Sequence, residues 1–319
     1  MVRTKNRWLL SIALWFAFAA HAQTPAFTVI PLGVRGGLDE SNLSAYLVAP
    51  AGRAAYVCLD AGSLRSGLEK ALASQALAGP TPDAVLRRQV RAYLLSHAHL
   101  DHVAGLLLNA PADSAKPIYG LASCLGIVQR DYFNGQAWPN FGSAGAAPAL
   151  GKYQLRALAP GQEMAVPGAA LQVRAYPLSH GPGYESTAFL LRSGPSHLLY
   201  LGDTGADTLE HSHRLRALWQ AVAPLVAAGQ LRAIFIEVSY PNEQPDQQLF
   251  GHLTPAWLLR ELAALGQLAG LPALRAVPIV VTHRKPPASA EATIARQLAA
   301  TNALGLKFIY PVQGQRLAL

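Results

Sequence analysis

The sequence predicts an α+β fold in which two mixed β-sheets pack together with helices outside. Three observations carry this expectation. Strand-like apolar runs are punctuated by Gly and Pro, helical stretches interleave with them only in places, and ligand-type residues recur just past strand ends. At 319 residues with 51% hydrophobic content, the chain can bury a full core. Residues 23–319 are expected to form one domain behind a 22-residue leader.

That leader has the build of a secretory signal. Arg3, Lys5 and Arg7 precede an apolar stretch from Trp8 to Ala20, and Ala20-His21-Ala22 offers a small-x-small cleavage site, leaving Gln23 first. The stretch falls short of the roughly 20 apolar residues of a membrane-spanning helix. An exported protein, off the membrane after cleavage, is the expectation. The periplasm of a Gram-negative bacterium suits it best, with full secretion open.

The elements follow in order. Runs at 27–30, 44–48 and 56–59 read as strands, 64–78 as a helix, and 84–95 as the approach to a polar loop. Helix and strand signals then lead into a Gly/Pro/Asn-rich excursion over 134–151. Strands return at 171–176, 187–191 and 197–201, followed by a helix at 207–227 and a strand at 233–238. Thr254-Pro255 supplies an N-cap and a first-turn Pro for the next helix, ahead of a strand at 277–282, another helix and a last strand at 307–310.

The apolar run before Ser96 opens into Ser96-His97-Ala98-His99-Leu100-Asp101-His102, three imidazoles and a carboxylate within six residues. If the strand ends near Ser96, His97 and His99 project to one side while Asp101 and His102 swing away at the turn. One segment can then serve two neighbouring metal ions. These donors, with no thiolate near, suit two Zn2+, with Mn2+ or Fe2+ as alternatives. His180, in Ser179-His180-Gly181, Asp203, in Gly202-Asp203-Thr204-Gly205, and His283 each follow a strand in the same way. Gathered at one end, they would complete a dinuclear site, whose metals about 3.5–4 Å apart share a hydroxide and stabilise a phosphate in displacement. His211-Ser212-His213 has the same spacing but falls in the predicted helix at 207–227, where residues two apart face different sides. A solvated helix face is expected there.

The formal charge of +8 narrows the partners. Three of the 26 basic residues sit in the leader, and no Lys/Arg stripe tracks a phosphate backbone, so polymeric nucleic acid is not expected. A mildly basic surface suits a small anionic substrate. Cys58 and Cys124 would meet an oxidising compartment after export, where a disulfide or two buried thiols are both open, and neither is assigned to metal.

The His-x-His-x-Asp-His core with His180, Asp203 and His283 in order resembles the metallo-β-lactamase fold family. The stretches SHAHLDHVAGLLLNA, FNGQAWPNF, ESTAFLL, LGDTG, IEVSYPN, GHLTP and THRKP narrow the resemblance to class II 3',5'-cyclic-nucleotide phosphodiesterases, over about 36–314. The resemblance implies an αββα sandwich in which His97, His99 and His180 hold one zinc, Asp101, His102 and His283 the other, and Asp203 bridges. It makes Asp60 a non-ligand aspartate that hydrogen-bonds a zinc histidine. Asp101, Glu237 and His252 are the residues it places in the chemistry, the last two resembling the pair that ribonuclease Z sets beside a scissile phosphate. Asn134 and Trp138 would touch substrate, Trp138 by stacking on a nucleobase or, equally, by packing its long loop.

The expected activity is hydrolysis of cyclic AMP, with cyclic GMP open, to the 5'-monophosphate by metal-hydroxide attack on phosphorus. A homodimer is compatible with it. A lactamase, a lactonase, a linear-phosphodiester hydrolase or a non-catalytic nucleotide- or zinc-binding protein are the alternatives. Asp203 as a bridging oxygen ligand, with Glu237 and His252, favours phosphodiester chemistry, and a complete ligand set argues against a non-catalytic chain.

Overall fold

Because each sheet has a second sheet on one face and helices on the other, its central strands are apolar throughout rather than alternating. A computed structural model describes residues 24–319, so the leader over 1–22 and the start at Gln23 lie outside the described residues. The first sheet holds β1 (Phe27–Gly33), β2 (Ala45–Pro50), β3 (Tyr56–Leu59), β4 (Val90–Leu94), β5 (Lys116–Gly120) and β6 (Tyr153–Ala157). The second holds β7 (Glu163–Val166), β8 (Leu171–Ser179), β9 (Glu185–Ser193), β10 (Ser196–Leu201), β11 (Leu231–Glu237), β12 (Ile279–Thr282) and β13 (Phe308–Ile309). The last strand, β14 (Leu317–Ala318), returns to the first sheet beside β1. Both sheets are mixed, with β3 through β6 parallel in one and β10 through β13 parallel in the other.

The sheets meet through Phe27, Tyr46, Val57 and Leu94 on one side and Val173, Phe189, Tyr200 and Phe235 on the other. Tyr46 packs edge-on against Phe235, ring centroids 5.6 Å apart at 74°, a favourable aromatic geometry that fixes the two sheets' relative position. Helices Arg65–Ala73 and Leu100–Asn109 bury Leu68, Val103 and Leu106 on the outer face of the first sheet. Helices Arg214–Ala227, Pro255–Ala269 and Ala288–Ala300 bury Trp219, Leu262 and Ile294 on the second. The layers run helix, sheet, sheet, helix, as expected.

One predicted helix is broken. In place of 207–227, helices Asp207–Glu210 and Arg214–Ala227 flank His211, whose φ of 50° is left-handed. The Asp207 carboxylate causes the break, accepting Ser212 Oγ at 2.6 Å and the backbone N–H groups of Leu215 and Arg216 at 3.1 and 2.8 Å. His211 and His213 are exposed, as the helix-face argument required, though in a turn rather than on a helix. Strands β6, β7 and β14 went unread because they are short or half-exposed and lack a clean apolar period. Cys58 and Cys124 are both free and buried. Among the described residues no helix is long and apolar enough to cross a membrane.

Candidate active site

The carboxyl ends of the central strands of both sheets converge on one cleft. Asp60 follows β3, His97 and His99 follow β4, His180 follows β8, Asp203 follows β10, Glu237 ends β11 and His283 follows β12. Loops at such ends present side chains from several strands to one point. His99 is the N-cap residue of helix Leu100–Asn109, and Asp101 and His102 stand in its first turn.

Two donor sets form there. In the first, His99 Nδ1 lies 3.1 Å from His97 Nε2 and 3.3 Å from His180 Nε2. In the second, His283 Nε2 lies 3.1 Å from Asp101 Oδ2 and 3.1 Å from Asp203 Oδ2, with His102 Nε2 at 3.3 Å from Asp203 Oδ2. Asp203 Oδ2 also stands 3.7 Å from His97 Nε2 and 3.8 Å from His180 Nε2, so one oxygen faces both sets. All seven residues that the resemblance made ligands are thus brought together.

A divalent cation fits this arrangement because the ring protons point elsewhere. Asp60 Oδ2 accepts from His102 Nδ1 at 2.8 Å, Gly251 O from His180 Nδ1 at 2.8 Å, and Ser239 Oγ faces His283 Nδ1 at 2.9 Å. With Nδ1 so engaged, each of these rings turns its Nε2 inward, the nitrogen left to a metal. His102 Nε2 is buried and has no hydrogen-bond partner. Around a tetrahedral zinc with bonds of about 2.0–2.1 Å, donor atoms stand ~3.3 Å apart, close to the spacings within both sets.

The electrostatics agree. Burial holds His97 well below the usual imidazole range and takes His180 down to about 4, which keeps both neutral at physiological pH. Asp203 is fully buried, which alone would raise its carboxyl, yet His283 and His102 hold it well below the usual carboxylate range. Burial pulls His102 down, but Asp203, Asp60 and Asp101 outweigh it, so a proton or a metal is strongly held there.

Asp60 binds more than the His102 ring. Besides His102, it accepts Ser96 N at 2.7 Å, Ser96 Oγ at 2.8 Å and Tyr200 OH at 2.6 Å, which ties the loop after β4 to the second sheet. Glu237 and His252 are paired, Oε1 to Nδ1 at 2.8 Å, and His252 Nδ1 lies 3.8 Å from Asp203 Oδ2. Burial would raise Glu237, but the His252 charge and hydrogen bond leave it below its ordinary value.

The expected substrate residues divide differently. Asn134 accepts from Gln136 N and Ala137 N and donates to Arg130 O and Asp131 O, so its side chain is committed to the turn. Trp138 packs half-buried beside Leu100, Ala104, Leu107, Leu108 and Tyr132 around a pocket of about 270 Å³. Ser239, Tyr200 and Tyr184 were not foreseen. Tyr184 stacks on the His99 ring, centroids 4.6 Å apart at 9°.

Comparison with known proteins agrees with the geometry. The chain is 39% identical over 327 residues to a 3',5'-cyclic-nucleotide phosphodiesterase of Aliivibrio fischeri, covering 98% of this chain and 99% of that protein. Its fold matches unliganded yeast PDE1 with a TM-score of 0.82 at 22% identity, covering 92% of this chain and all of that one. A metallo-β-lactamase fold protein from Bacillus subtilis, YhfI, matches with a TM-score of 0.60 at 17% identity over 91% of this chain and 99% of that one. The model of the family described as cAMP phosphodiesterases class-II matches residues 82–314, and with the relative and the fold it shows that the chain belongs to the class-II cyclic-nucleotide phosphodiesterases.

Proposed function

We propose that this phosphodiesterase is an exported dizinc enzyme that hydrolyses cyclic AMP, and cyclic GMP beside it, to the nucleoside 5'-monophosphate. The observation that carries the dinuclear reading is the single oxygen, Asp203 Oδ2, within 3.1–3.8 Å of both donor sets. His97, His99 and His180 would hold one ion, Asp101, His102 and His283 the other, with Asp203 shared. When bound, such a pair supplies a water made nucleophilic near neutral pH and positive charge against the phosphate oxygens.

The chain's own residues do the rest. Asp60, Ser239 and the Gly251 carbonyl fix the tautomers of His102, His283 and His180, so the site is organised before substrate arrives. Glu237 holds the Nδ1 proton of His252, which leaves Nε2 as the nitrogen able to give a proton to the departing 3'-oxygen. The relative in Aliivibrio fischeri supports the substrate class, and the basic leader with its apolar stretch supports export to the periplasm.

The test is one preparation, recovered from a periplasmic extract, with its N-terminus sequenced and its metal and products measured. The expected result is a chain starting at Gln23, two zinc ions per chain and 5'-AMP from cyclic AMP. Asp203→Ala is expected to lower zinc content and abolish activity together. Two zincs retained in that variant would sink the shared-ligand assignment, an intact Met1 in active cytoplasmic protein would sink export, and an enzyme inert on cyclic nucleotides but active on a β-lactam would sink the substrate.

A further inference from the structure

Three large exposed apolar side chains are carried on the segments that bear residues or contacts of the polar centre. Phe250 is 68% exposed, Leu38 85% and Leu100 60%. Leu100 lies between His99 and Asp101 in the chain. Leu38 follows Gly37, whose N–H donates to Asp101 Oδ2 at 2.9 Å, and Gly36 before it sits so close to the His283 ring that a Cβ would run into it. Phe250 precedes Gly251, whose carbonyl orients His180, and His252, the proposed proton donor.

Phe250 is also held in a conformation that a bulky residue avoids. It and Gly251 are the central residues of a tight turn closed by His252 N–H to Leu249 C=O at 3.1 Å, with φ of 53° and 79°. Gly251 has a reason to be glycine, since a Cβ there would collide with the backbone of His180 and Gly181. The turn asks a left-handed φ of Phe250 as well, but nothing in the turn asks for an aromatic side chain there. A left-handed aromatic is an outlier, usually offset by packing or retained for function, and an exposed ring offsets little through packing. Leu38 repeats the pattern at φ 60° on the loop that bears on the second donor set.

We infer that this apolar rim seats the substrate's nucleobase, with Phe250 as its stacking face and Leu38 as the opposing lip. The inference rests on the cyclic-nucleotide reading of the site. A cyclic nucleotide joins an anionic phosphodiester to a flat, weakly polar ring system. A polar centre whose loops also carry exposed apolar side chains matches that division, and an aromatic face takes any base because every base has a π-face. Trp138, half-buried against the core, remains a packing residue of its loop in this assignment.

The test compares cyclic AMP with an abasic ribose 3',5'-cyclic phosphate, which carries the same reacting ring and no base. Phe250→Ala is expected to raise KM for cyclic AMP by about 5- to 150-fold, the range of one base–aromatic stack, with kcat and the abasic KM little moved. Phe250→Trp should restore the cyclic AMP KM. Phe250→Gly should show the same KM defect while melting at higher temperature, because it relieves the left-handed φ, and this separates a lost contact from a damaged fold. Equal KM changes on both substrates, or none on either, would overturn the inference. So would a defect selective for cyclic AMP in Trp138→Ala but absent from Phe250→Ala. A Phe250→Ala protein that dissociates from dimer to monomer with KM unchanged would show that a second copy covers the rim, and would also overturn it. Wild-type protein inactive on both substrates would instead strike at the proposed function.

Discussion

Glu237 divides its two oxygens among four donors, Thr204 N and His252 Nδ1 on one and Ser239 Oγ and Leu253 N on the other. A buried carboxylate so engaged is a fixed negative charge that orients the His252 ring through its Nδ1 proton. Departure of the 3'-oxygen creates a strongly basic alkoxide, so the loss of its proton donor should be costly. His252→Ala is expected to keep its bound metal yet slow cyclic AMP hydrolysis by about 10²–10⁴-fold. A nitrophenyl phosphodiester, whose leaving group is already a stable anion, should lose little, and Glu237→Gln should behave similarly but more mildly. Equal loss on both substrates with metal intact would place His252 in substrate positioning instead. At this scale the sequence was most legible where a donor follows a strand directly, as His180, Asp203 and His283 do. The residues that orient them were not legible. Ser239 meets His283 across 44 positions and Tyr200 meets Asp60 across 140, and a lone Ser or Tyr leaves no local pattern to announce such a partner.

At the scale of elements, the outer part of the first sheet is held by a buried polar cluster. Asp113, in the turn after helix Leu100–Asn109, accepts Tyr93 OH from β4 at 2.8 Å, Tyr153 OH from β6 at 2.9 Å and Lys116 Nζ from β5 at 2.6 Å. Lys116 also donates to Leu86 O at 2.7 Å, and both charged side chains are almost wholly buried. Burial lowers the Lys116 ammonium below its ordinary pKa, while Asp113 holds it up. Removing one partner of such a pair strands the other charge, so Lys116→Met is expected to cost about 3–5 kcal/mol in urea unfolding, with metal content unchanged. A loss under about 1 kcal/mol, the scale of a solvent-exposed pair, would mean the pair behaves as if in water. Nothing in a strand-opening lysine or a turn aspartate distinguishes this cluster from two solvated charges, which is why the sequence was silent on it. The helix expected at 207–227 failed for a related reason. The apolar period lapses over Glu210-His211-Ser212-His213-Arg214, and there the Asp207 carboxylate claims the N–H groups of Leu215 and Arg216 that a continuous helix would need.

Across the whole molecule, the site joins two sheets. His97, His99, Asp101 and His102 belong to the first, and His180, Asp203 and His283 to the second, so any cation bound between them ties the sheets together at their carboxyl ends. The αββα layering was legible because strands buried on both faces read as unbroken apolar runs, and only residues outside that rule, such as β7 and β14, escaped notice. The same burial makes the metal-free protein sensitive to acid. His180 is held down to about 4 against an ordinary value of 6.5, chiefly by burial, so its folded form resists the proton that its unfolded form accepts. Above pH 6.5 both forms are neutral and the group contributes nothing. As pH falls from 6.5 toward 4 the unfolded chain gains a proton that the folded chain refuses, and stability declines by about 3 kcal/mol from this residue alone, at 1.36 kcal/mol per pKa unit. Below about 4 both forms are protonated and the loss stops growing. Chelator-treated protein is therefore expected to lose stability between pH 6.5 and 4 in denaturant titrations, and His180→Asn, which cannot take up that proton, to follow a shallower slope. Metal-loaded protein should hold its stability further into acid, because the ion occupies the nitrogen that the proton seeks. A metal-free His180→Asn variant that declines as steeply as the wild type would show that His180 reaches water in the folded state and that the acid sensitivity arises elsewhere.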